Sequence, residues 1–364
     1  MSESIDSAAV LAAVEDFQDP ETGRSVVKME QVRDIRVDGD ELHVTLALTT
    51  YSAPLWSEVR DDFAQKLRAA FPQIAKVHVG EAIHERAPEK QGEFGLEVKN
   101  IIIVGSGKGG VGKSTIATAL AFGLQRAGCK VGFMDADVYG PSVPHLLGVE
   151  GRPEIKQVEG TEANKIVPKY KDGMPVMSMG LLVEADQPVV LRGPMLHGAI
   201  TQFLRDTDWG PLDYLVIDMP PGTGDIPLTL SQLLQKTAAV VVCTPQDVAL
   251  LDAVKAIGMF EKVNIPILGI VENMSGFVCP DCDKMHNIFG SGGARDRAES
   301  RNVPFLGEVP INIAIREKGD TQQADTMFDN DQVRPYLEKL SYRLVKNLVQ
   351  SHREEPPLPT LNVL

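Results

Sequence analysis

The sequence GSGKGGVGKST, residues 105–115, carries the most information about the architecture of this chain. Residues 107–114 match the phosphate-binding pattern G-x-x-x-x-G-K-[ST]. The apolar segment NIIIVG precedes the pattern and a helical segment follows it, which is the strand, loop and helix context of a P-loop. Its glycines allow backbone N–H groups to wrap phosphate oxygens at a helix N-terminus. A glycine-rich turn without a ligand is the alternative, and these surroundings disfavour it.

Two side chains of the loop are expected to contact a nucleotide and its magnesium ion. Lys113 is expected to reach the outer phosphates, and the Ser114 hydroxyl is expected to bind Mg²⁺. A second lysine, Lys108, taken alone is most simply a solvated surface charge. The full set predicted to hold the nucleotide within the loop is Gly107, Lys108, Gly109, Gly110, Val111, Gly112, Lys113, Ser114 and Thr115.

Short apolar segments alternate with helical ones from the P-loop onward. These segments are NIIIVG, VGFMDAD, DYLVIDM, AAVVVCT, IPILGIV and PFLGEVP. Continuous apolar strands are typical of a parallel sheet that is covered on both faces. The sequence therefore predicts an α/β fold, a P-loop NTPase with a mostly parallel sheet flanked by helices.

The region before the P-loop has a different pattern and indicates a small α+β domain. Its predicted helices cover residues 6–17 and 55–70, and its predicted strands cover 26–37, 41–49 and 76–80. A polar segment with proline and glycine then suggests a linker. The predicted organisation is an α+β domain at 1–85, a linker at 86–98, an ATPase domain at 99–350 and a flexible tail at 351–364.

Composition excludes several classes of function. The 364 residues carry a formal net charge of -14, whereas binding of nucleic acid needs a basic footprint. The N-terminus lacks a basic region before an apolar core, and no apolar run approaches the roughly 20 residues that span a bilayer. We therefore expect a cytoplasmic protein with reduced thiols that binds neither nucleic acid nor membrane.

Acidic residues follow two of the predicted strands. Asp135 and Asp137 lie at the carboxyl end of VGFMDAD, where open α/β sheets bind ligands. Asp218 is the next-to-last residue of DYLVIDM, the place of a carboxylate that holds magnesium through water. The alternative for the first pair is capping of a turn or helix. Residues expected to sense the terminal phosphate, unless they form a plain turn, are Gly222, Gly224 and Asp225.

Two of the four cysteines form a C-x-x-C pair, Cys279 and Cys282, in FVCPDCDKMH. At this spacing both thiolates can face one metal centre, although a sulfur-ligated site usually needs four ligands. Within the chain the candidates for completing the set are His286, Cys129 and Cys243. The last two are better interpreted as core cysteines. A structural zinc site on this loop is the alternative to an iron–sulfur centre.

The loop GKGGVGKS resembles the deviant Walker A motif of the ATPases that include MinD, ParA, the nitrogenase iron protein and ArsA. The resemblance implies that Lys108 crosses a dimer interface to the partner's nucleotide. It also implies that Asp137 positions or deprotonates the attacking water and that Asp135 supports the metal site. Asn273, in GIVENMSG, stands where that family uses an asparagine on adenine, with a strand-ending turn as the alternative. GTPases of the P-loop class commonly carry the pattern N-K-x-D for guanine. The only Asn-Lys pair of this sequence, Asn164-Lys165, lacks the aspartate, so ATP is favoured over GTP.

Further stretches resemble the Mrp/ApbC group of iron–sulfur carrier proteins: DADVYGPSVPHLLG, LRGPMLHGAITQFL, LVIDMPPGTGD, ENMSGFVCPDC and IFGSGGA. The resemblance implies a [4Fe-4S] cluster held between two subunits of a homodimer by Cys279 and Cys282. Transfer to apo iron–sulfur proteins, with assembly factors as partners, would follow. The positioning ATPases would need a membrane helix or a basic DNA surface, and the iron-protein reductases lack a C-x-x-C pair.

The N-terminal region resembles the iron–sulfur-assembly domain that is often fused to these ATPases, with DPETGRSVV near its start. In that domain a cysteine usually follows the threonine-rich strand end. This chain has LTTYSAPLW, with Ala53 at that place. We therefore expect the domain to dock partners or to be a folding appendage, and not to hold a cluster or another metal.

Overall fold

The computed structural model describes residues 5–92, 94–137, 140, 142–157, 164–182, 193–222, 226–279, 281–282 and 284–354. The chain divides into two compact units. In the described part, the N-terminal unit comprises residues 5–86 and 345–354, and the P-loop unit comprises Ala87–Leu344 apart from the gaps given above.

The N-terminal unit is a small α+β fold. Its helices and strands are α1 (Ser7–Ala13), β1 (Val32–Asp38), β2 (Glu41–Leu48), α2 (Trp56–Ala70) and β3 (Lys76–Ile83). The sheet order is β1-β2-β3, with β1 antiparallel and β3 parallel to the central β2. The α+β prediction is confirmed, but the first strand begins at Val32 and not at residue 26, because residues 26–30 form turns.

Strand β2 separates the core of this unit from its solvent face. Leu42, Val44 and Leu46 are buried in a cluster with Phe63 and Leu67 of α2. Because side chains alternate along a strand, the residues between these leucines and valine point to the opposite face. Polar residues occupy that face, which suits a sheet covered by helices on one side only.

The P-loop unit alternates strands with helices as the apolar segments predicted. Its elements are β4 (Lys90–Gln91), β5 (Leu96–Gly105), α3 (Lys113–Ala127), β6 (Val131–Asp135), α4 (Val143–Leu147), β7 (Glu154–Gln157), β8 (Asn164–Val167), β9 (Lys169–Lys171), β10 (Met174–Ser178), α5 (Gly193–Asp206), β11 (Leu212–Asp218), α6 (Ile226–Leu233), β12 (Thr237–Cys243), α7 (Asp247–Lys262), β13 (Ile267–Val278), β14 (Met285–His286), α8 (Gly293–Ser300), β15 (Phe305–Ile311), α9 (Ile313–Asp320) and α10 (Arg334–Glu354). Helix α10 contributes to both units, because the division falls at Val345.

A mostly parallel sheet forms the centre of the P-loop unit. Among the described residues its order is β14-β13-β12-β5-β11-β6-β10-β9, with β15 also paired to β13 and β4 to β5. Strands β15, β13, β12, β5, β11, β6 and β10 run parallel. Their carboxyl ends therefore meet at one edge, where ligands bind in such sheets. The predicted fold class and all six apolar strands are confirmed.

Some elements were not predicted. Strand β10 extends the parallel sheet beside β6, although its sequence MPVMS gives little strand signal. Within the predicted linker, Lys90–Gln91 pairs with Leu96–Glu97. Helix α10 continues to Glu354, into the predicted tail, and residues 355–364 lie outside the described part of the chain. None of the helices in that part is both long and apolar enough to cross a membrane.

Candidate nucleotide site and cysteine hairpin

The P-loop connects the end of β5 to the start of α3 at the carboxyl edge of the sheet. Two of its glycines lie where no other side chain fits. A Cβ atom at Gly107 would lie 2.1 Å from the Asp252 carbonyl oxygen, and one at Gly112 would lie 2.1 Å from Asn273 Nδ2. Gly112 also has a left-handed backbone, with φ of 78°. The backbone can therefore form a compact loop with N–H groups available to an anion at the α3 N-terminus.

Lys113 is the buried cation of this site. Its Nζ lies 2.6 Å from Asp218 Oδ1 and 3.6 Å from Asp137 Oδ2. The Ser114 hydroxyl donates to Asp218 Oδ2 at 2.6 Å, so the carboxylate is held from both sides. The structure thus brings together four of the predicted residues, Lys113, Ser114, Asp137 and Asp218.

Asp135 completes the acidic cluster, and its surroundings favour its protonated form. Ser178 Oγ on β10 donates to its Oδ2 at 2.8 Å, and the Asp137 backbone N–H donates to its Oδ1 at 3.0 Å. Burial, followed by the negative charge of Asp218, raises the pKa of Asp135 to about 8. Burial also raises the pKa of Asp218, but Lys113 favours its charged form. Sequence reasoning missed Ser178, because nothing in MPVMS indicated that this strand would lie beside β6.

This donor set fits a magnesium ion. Three buried carboxyl groups, Asp135, Asp137 and Asp218, surround a single ammonium group. Mg²⁺ prefers hard oxygen ligands, and it is commonly held by one or two carboxylates together with substrate phosphates. Ser114 and Asp218 present such oxygens next to the phosphate loop.

The sequence suggested that Asn273 follows a strand, but the residue lies within β13. The strand continues past it because β14 and β15 pair with residues as far as Val278 and Phe277. The Asn273 Nδ2 group donates to the Val111 carbonyl at 2.9 Å, so the side chain supports the P-loop in this structure. Its predicted contact with adenine stays a prediction.

Glu272, the residue before Asn273, is fully buried and binds the start of α8. Its Oε1 accepts hydrogen bonds from Ser275 Oγ at 2.6 Å and the Gly292 N–H at 2.8 Å. Its Oε2 accepts one from the Ala294 N–H at 2.7 Å. Sequence reasoning did not single out Glu272. An acidic residue in an apolar strand, twenty residues before the glycine that caps a helix, is a weak signal without the fold.

The C-x-x-C pair lies in the turn of a hairpin formed by β13 and β14. Phe277 pairs with His286, and Val278 with Met285, in antiparallel register. The Cys279 N–H donates to the Lys284 carbonyl at 3.0 Å and closes the turn. Cys279 is half-buried and Cys282 is exposed. One chain therefore presents two thiols at the surface.

The other two cysteines lie in the core, and none of the four forms a disulfide. Cys243 ends β12, and its thiol faces the Val271 carbonyl at 3.8 Å. Burial, followed by the charge of Glu272, raises the pKa of Cys243 to about 12. Such a thiol does not form the thiolate that metals bind. The interpretation of Cys129 and Cys243 as core cysteines is confirmed.

Three of the remaining predicted residues, Lys108, Thr115 and Gly222, belong to the loop or contact it. Lys108 is half-exposed, and no described side chain forms a hydrogen bond or ion pair with its ammonium group. Thr115 lies in the first turn of α3, and the Gly222 N–H donates to the Ser106 carbonyl at 2.9 Å. Gly224 and Asp225 lie outside the described residues.

Comparison with known proteins identifies the class. The family described as NUBPL iron-transfer P-loop NTPase matches residues 97–348, and the family described as iron–sulfur cluster assembly protein matches residues 7–79. The chain belongs to the NUBPL iron-transfer P-loop NTPase family, with an iron–sulfur-assembly domain before it. The resemblance that the sequence motifs suggested for both regions is confirmed.

Individual relatives agree with this assignment. The chain is similar to the iron–sulfur cluster carrier protein of Synechocystis sp., with 44% identity over 317 residues that cover 86% of this chain and 89% of the relative. It is 45% identical over 312 residues to the protein of the same name from Deinococcus radiodurans, covering 86% and 87%. A nucleotide-binding protein from Archaeoglobus fulgidus, solved in complex with ADP and with cobalt, shares the fold. The two structures superpose with a TM-score of 0.54 and are 38% identical in sequence. The match covers 63% of this chain and 88% of the Archaeoglobus fulgidus chain.

Proposed function

We propose that this chain is an ATP-binding and ATP-hydrolysing iron–sulfur cluster carrier. Two copies would hold one [4Fe-4S] cluster as cargo between their C-x-x-C hairpins and pass it to apo-proteins. The names of its relatives, iron–sulfur cluster carrier proteins, support this proposal. So does the joint presence of a phosphate loop and a surface thiol pair in one unit.

The nucleotide half of the proposal rests on the buried cluster around Lys113. Lys113 and the P-loop amides would bind the phosphates, and Ser114 and Asp218 would hold a magnesium ion that neutralises phosphate charge. Asp137, buried within 3.6 Å of Lys113, would orient and deprotonate the attacking water. Lys108, which has no side-chain partner among the described residues, would act on the nucleotide of the partner subunit. Asn273 would then contact adenine or, as in this structure, support the loop.

The carrier half rests on counting ligands. A [4Fe-4S] cluster is held by four thiolates, and each chain presents only Cys279 and Cys282 at its surface. A symmetric homodimer supplies the other two. Exposure of Cys282 suits a cargo that must be released, because a recipient's thiols can approach it.

One observation links the two halves: both are attached to strand β13. Asn273 contacts the P-loop, Glu272 contacts the start of α8, and the hairpin begins four residues later. A movement of the P-loop with its nucleotide would therefore act on the strand that carries the thiols. This physical connection favours ATP use in the service of cluster transfer.

We infer the setting from the same chemistry. Surface thiols that must bind a cluster need a reducing compartment, which favours the cytoplasm as the place of the carrier. Recipients would be apo iron–sulfur proteins, with assembly factors docking on the N-terminal domain. The net charge of -14 argues against nucleic acid as a partner.

Metal analysis tests the proposal most directly. Protein prepared without oxygen and reconstituted should contain about one [4Fe-4S] cluster per two chains, because four thiolates hold it. Cys279→Ala and Cys282→Ala should each abolish the iron–sulfur absorbance and keep ATP binding, whereas Cys129→Ala and Cys243→Ser should keep the cluster. Zinc without sulfide would favour a structural zinc loop instead. A complete cluster on each monomer in solution would show that bridging is wrong.

A further inference from the structure

The solvent face of the N-terminal sheet carries a group of potential metal ligands that the carrier function does not use. Glu41, His43 and His78 each offer one ligand atom, and these three atoms lie within 4.8 Å of one another. Glu41 and His43 are two residues apart on β2 and so share a face. His78 lies directly opposite His43 on β3. Strand pairing therefore fixes the group, independently of any loop.

The two imidazole rings converge on one carboxylate oxygen. Their centroids are 4.6 Å apart and their planes differ by 12°. His78 Nε2 lies 3.3 Å and His43 Nε2 lies 3.8 Å from Glu41 Oε2. Bonds of about 2.0–2.1 Å to a tetrahedral zinc ion place neighbouring ligand atoms about 3.3 Å apart. The separation of His78 Nε2 from the carboxylate oxygen already has this value, and that of His43 Nε2 exceeds it by roughly half an ångström. The nearly parallel rings would also have to rotate so that both nitrogens face one ion.

Neighbouring charges leave this oxygen available. Lys76 Nζ binds the other oxygen, Glu41 Oε1, at 2.6 Å and so orients the carboxylate. Metal-bound carboxylates are commonly held in this way by an outer hydrogen bond. The three ligand side chains are 32–49% exposed, which leaves a coordination position open to water.

We propose that Glu41, His43 and His78 form a binding site for a divalent transition-metal ion such as Zn²⁺. Two imidazoles and one carboxylate suit ions of borderline softness, and hard ions such as Mg²⁺ would bind poorly. The site lies in the domain that has Ala53 in place of a cysteine. It therefore gives that domain a metal chemistry that does not depend on thiols.

Zinc titration of the full-length, tag-free protein tests this proposal. The Cys279→Ala/Cys282→Ala background removes the competing thiols. Calorimetry should find one Zn²⁺ per chain, unaffected by millimolar Mg²⁺. His43→Gln and His78→Gln should each weaken binding at least about tenfold, since even the loss of a supporting partner costs about 10–100-fold. The matched control, His84→Gln, changes another histidine of the same unit, which contacts Arg33.

A second readout identifies the ligands. Co²⁺ bound in the same background should give visible d–d bands without thiolate charge-transfer absorbance. Unchanged far-UV circular dichroism and unchanged thermal unfolding in every variant would show that the N-terminal unit is folded. Absence of stoichiometric binding, or equal affinity in His43→Gln, His78→Gln and His84→Gln, would overturn the proposal.

Discussion

Replacing Glu272 with glutamine should loosen the cysteine hairpin without touching the nucleotide site. The side chain keeps its size and loses its charge. Its two oxygens accept hydrogen bonds from the Ser275 hydroxyl and from the Gly292 and Ala294 N–H groups. The amide nitrogen of glutamine cannot accept a hydrogen bond, so at least one of these donors loses its partner.

The expected cost follows from these bonds. A hydrogen bond to a charged group contributes about 1.5–3 kcal/mol, and a neutral one about 0.5–1.5 kcal/mol. One bond is lost and two become neutral, while burying an amide in place of a carboxylate offsets part of the loss. We expect Glu272→Gln to lower the free energy of unfolding by about 2–3 kcal/mol. For a unit of this size, that corresponds to a Tm about 4–12 °C lower.

Glu308→Gln is the matched control, because Glu308 lies opposite Glu272 on β15 but is half-exposed and forms an ion pair with Arg295 at 3.7 Å. Such a surface pair contributes about 0–1 kcal/mol. Thermal unfolding measures the stability of each variant, and loss of iron to a chelator measures the rate of cluster release. We expect this rate to rise in Glu272→Gln while ATP binding stays intact. Equal Tm and equal release in the two variants would refute the reasoning.

Other predictions concern the nucleotide site. Lys113→Ala should weaken ATP binding by about 10–100-fold, the value of a charge-assisted hydrogen bond, as measured by nucleotide titration. Lys108→Ala should keep binding and lower turnover by about 10³-fold, the lower range for a cation supplied in trans, and unchanged ATPase activity would remove that role. Asp137→Ala should bind MgATP yet hydrolyse it about 10²–10⁴-fold more slowly and accumulate as a nucleotide-bound dimer; wild-type turnover would exclude Asp137 as the base. The pKa of Asp135 rises from its ordinary value of 3.8 to about 8 on folding, so its contribution to stability is complete below pH 4 and is lost as the pH rises through 8. The free energy of unfolding of the nucleotide-free protein, measured with denaturant, should therefore decline between these pH values, and this decline should be missing in Asp135→Asn. Parallel pH profiles of the two proteins would contradict the raised pKa of Asp135.

Most of the fold could be predicted because its signals are local. Buried parallel strands are continuous apolar runs, and the P-loop marks where one of them meets a helix. Strand β10 escaped prediction because its burial depends on pairing with β6, from which it is separated by about forty residues in sequence. The first N-terminal strand was predicted too long because apolar residues such as Val26 are buried in a turn.

The residues of the candidate site also divide into those with a local sequence signal and those without one. Motifs gave Lys113, Ser114 and the C-x-x-C pair, whose chemistry depends on neighbours in sequence. Ser178 and Glu272 act through partners 43 and 20 residues away, so only the folded chain brings them to the site. Asn273 was found from its position, but its bond to Val111 spans 162 residues. Long-range hydrogen bonds of this kind leave no periodic pattern in a sequence.

The buried carboxyl groups explain why the nucleotide site can exist before a nucleotide arrives. The charge of Asp218 is balanced by Lys113 at 2.6 Å. Burial and the charge of Asp218 favour the protonated form of Asp135, and they outweigh the hydrogen bonds from Ser178 Oγ and the Asp137 N–H, which favour its charged form. Lys113 is thus engaged by the same carboxylate that would hold the magnesium ion. A divalent cation beside Asp218 would favour ionisation of Asp135 and weaken the hold on Lys113, since like charges repel and opposite charges compete. The lysine would then be available to phosphate oxygens, so that the carboxylates that stabilise the empty loop also prepare it for its ligand.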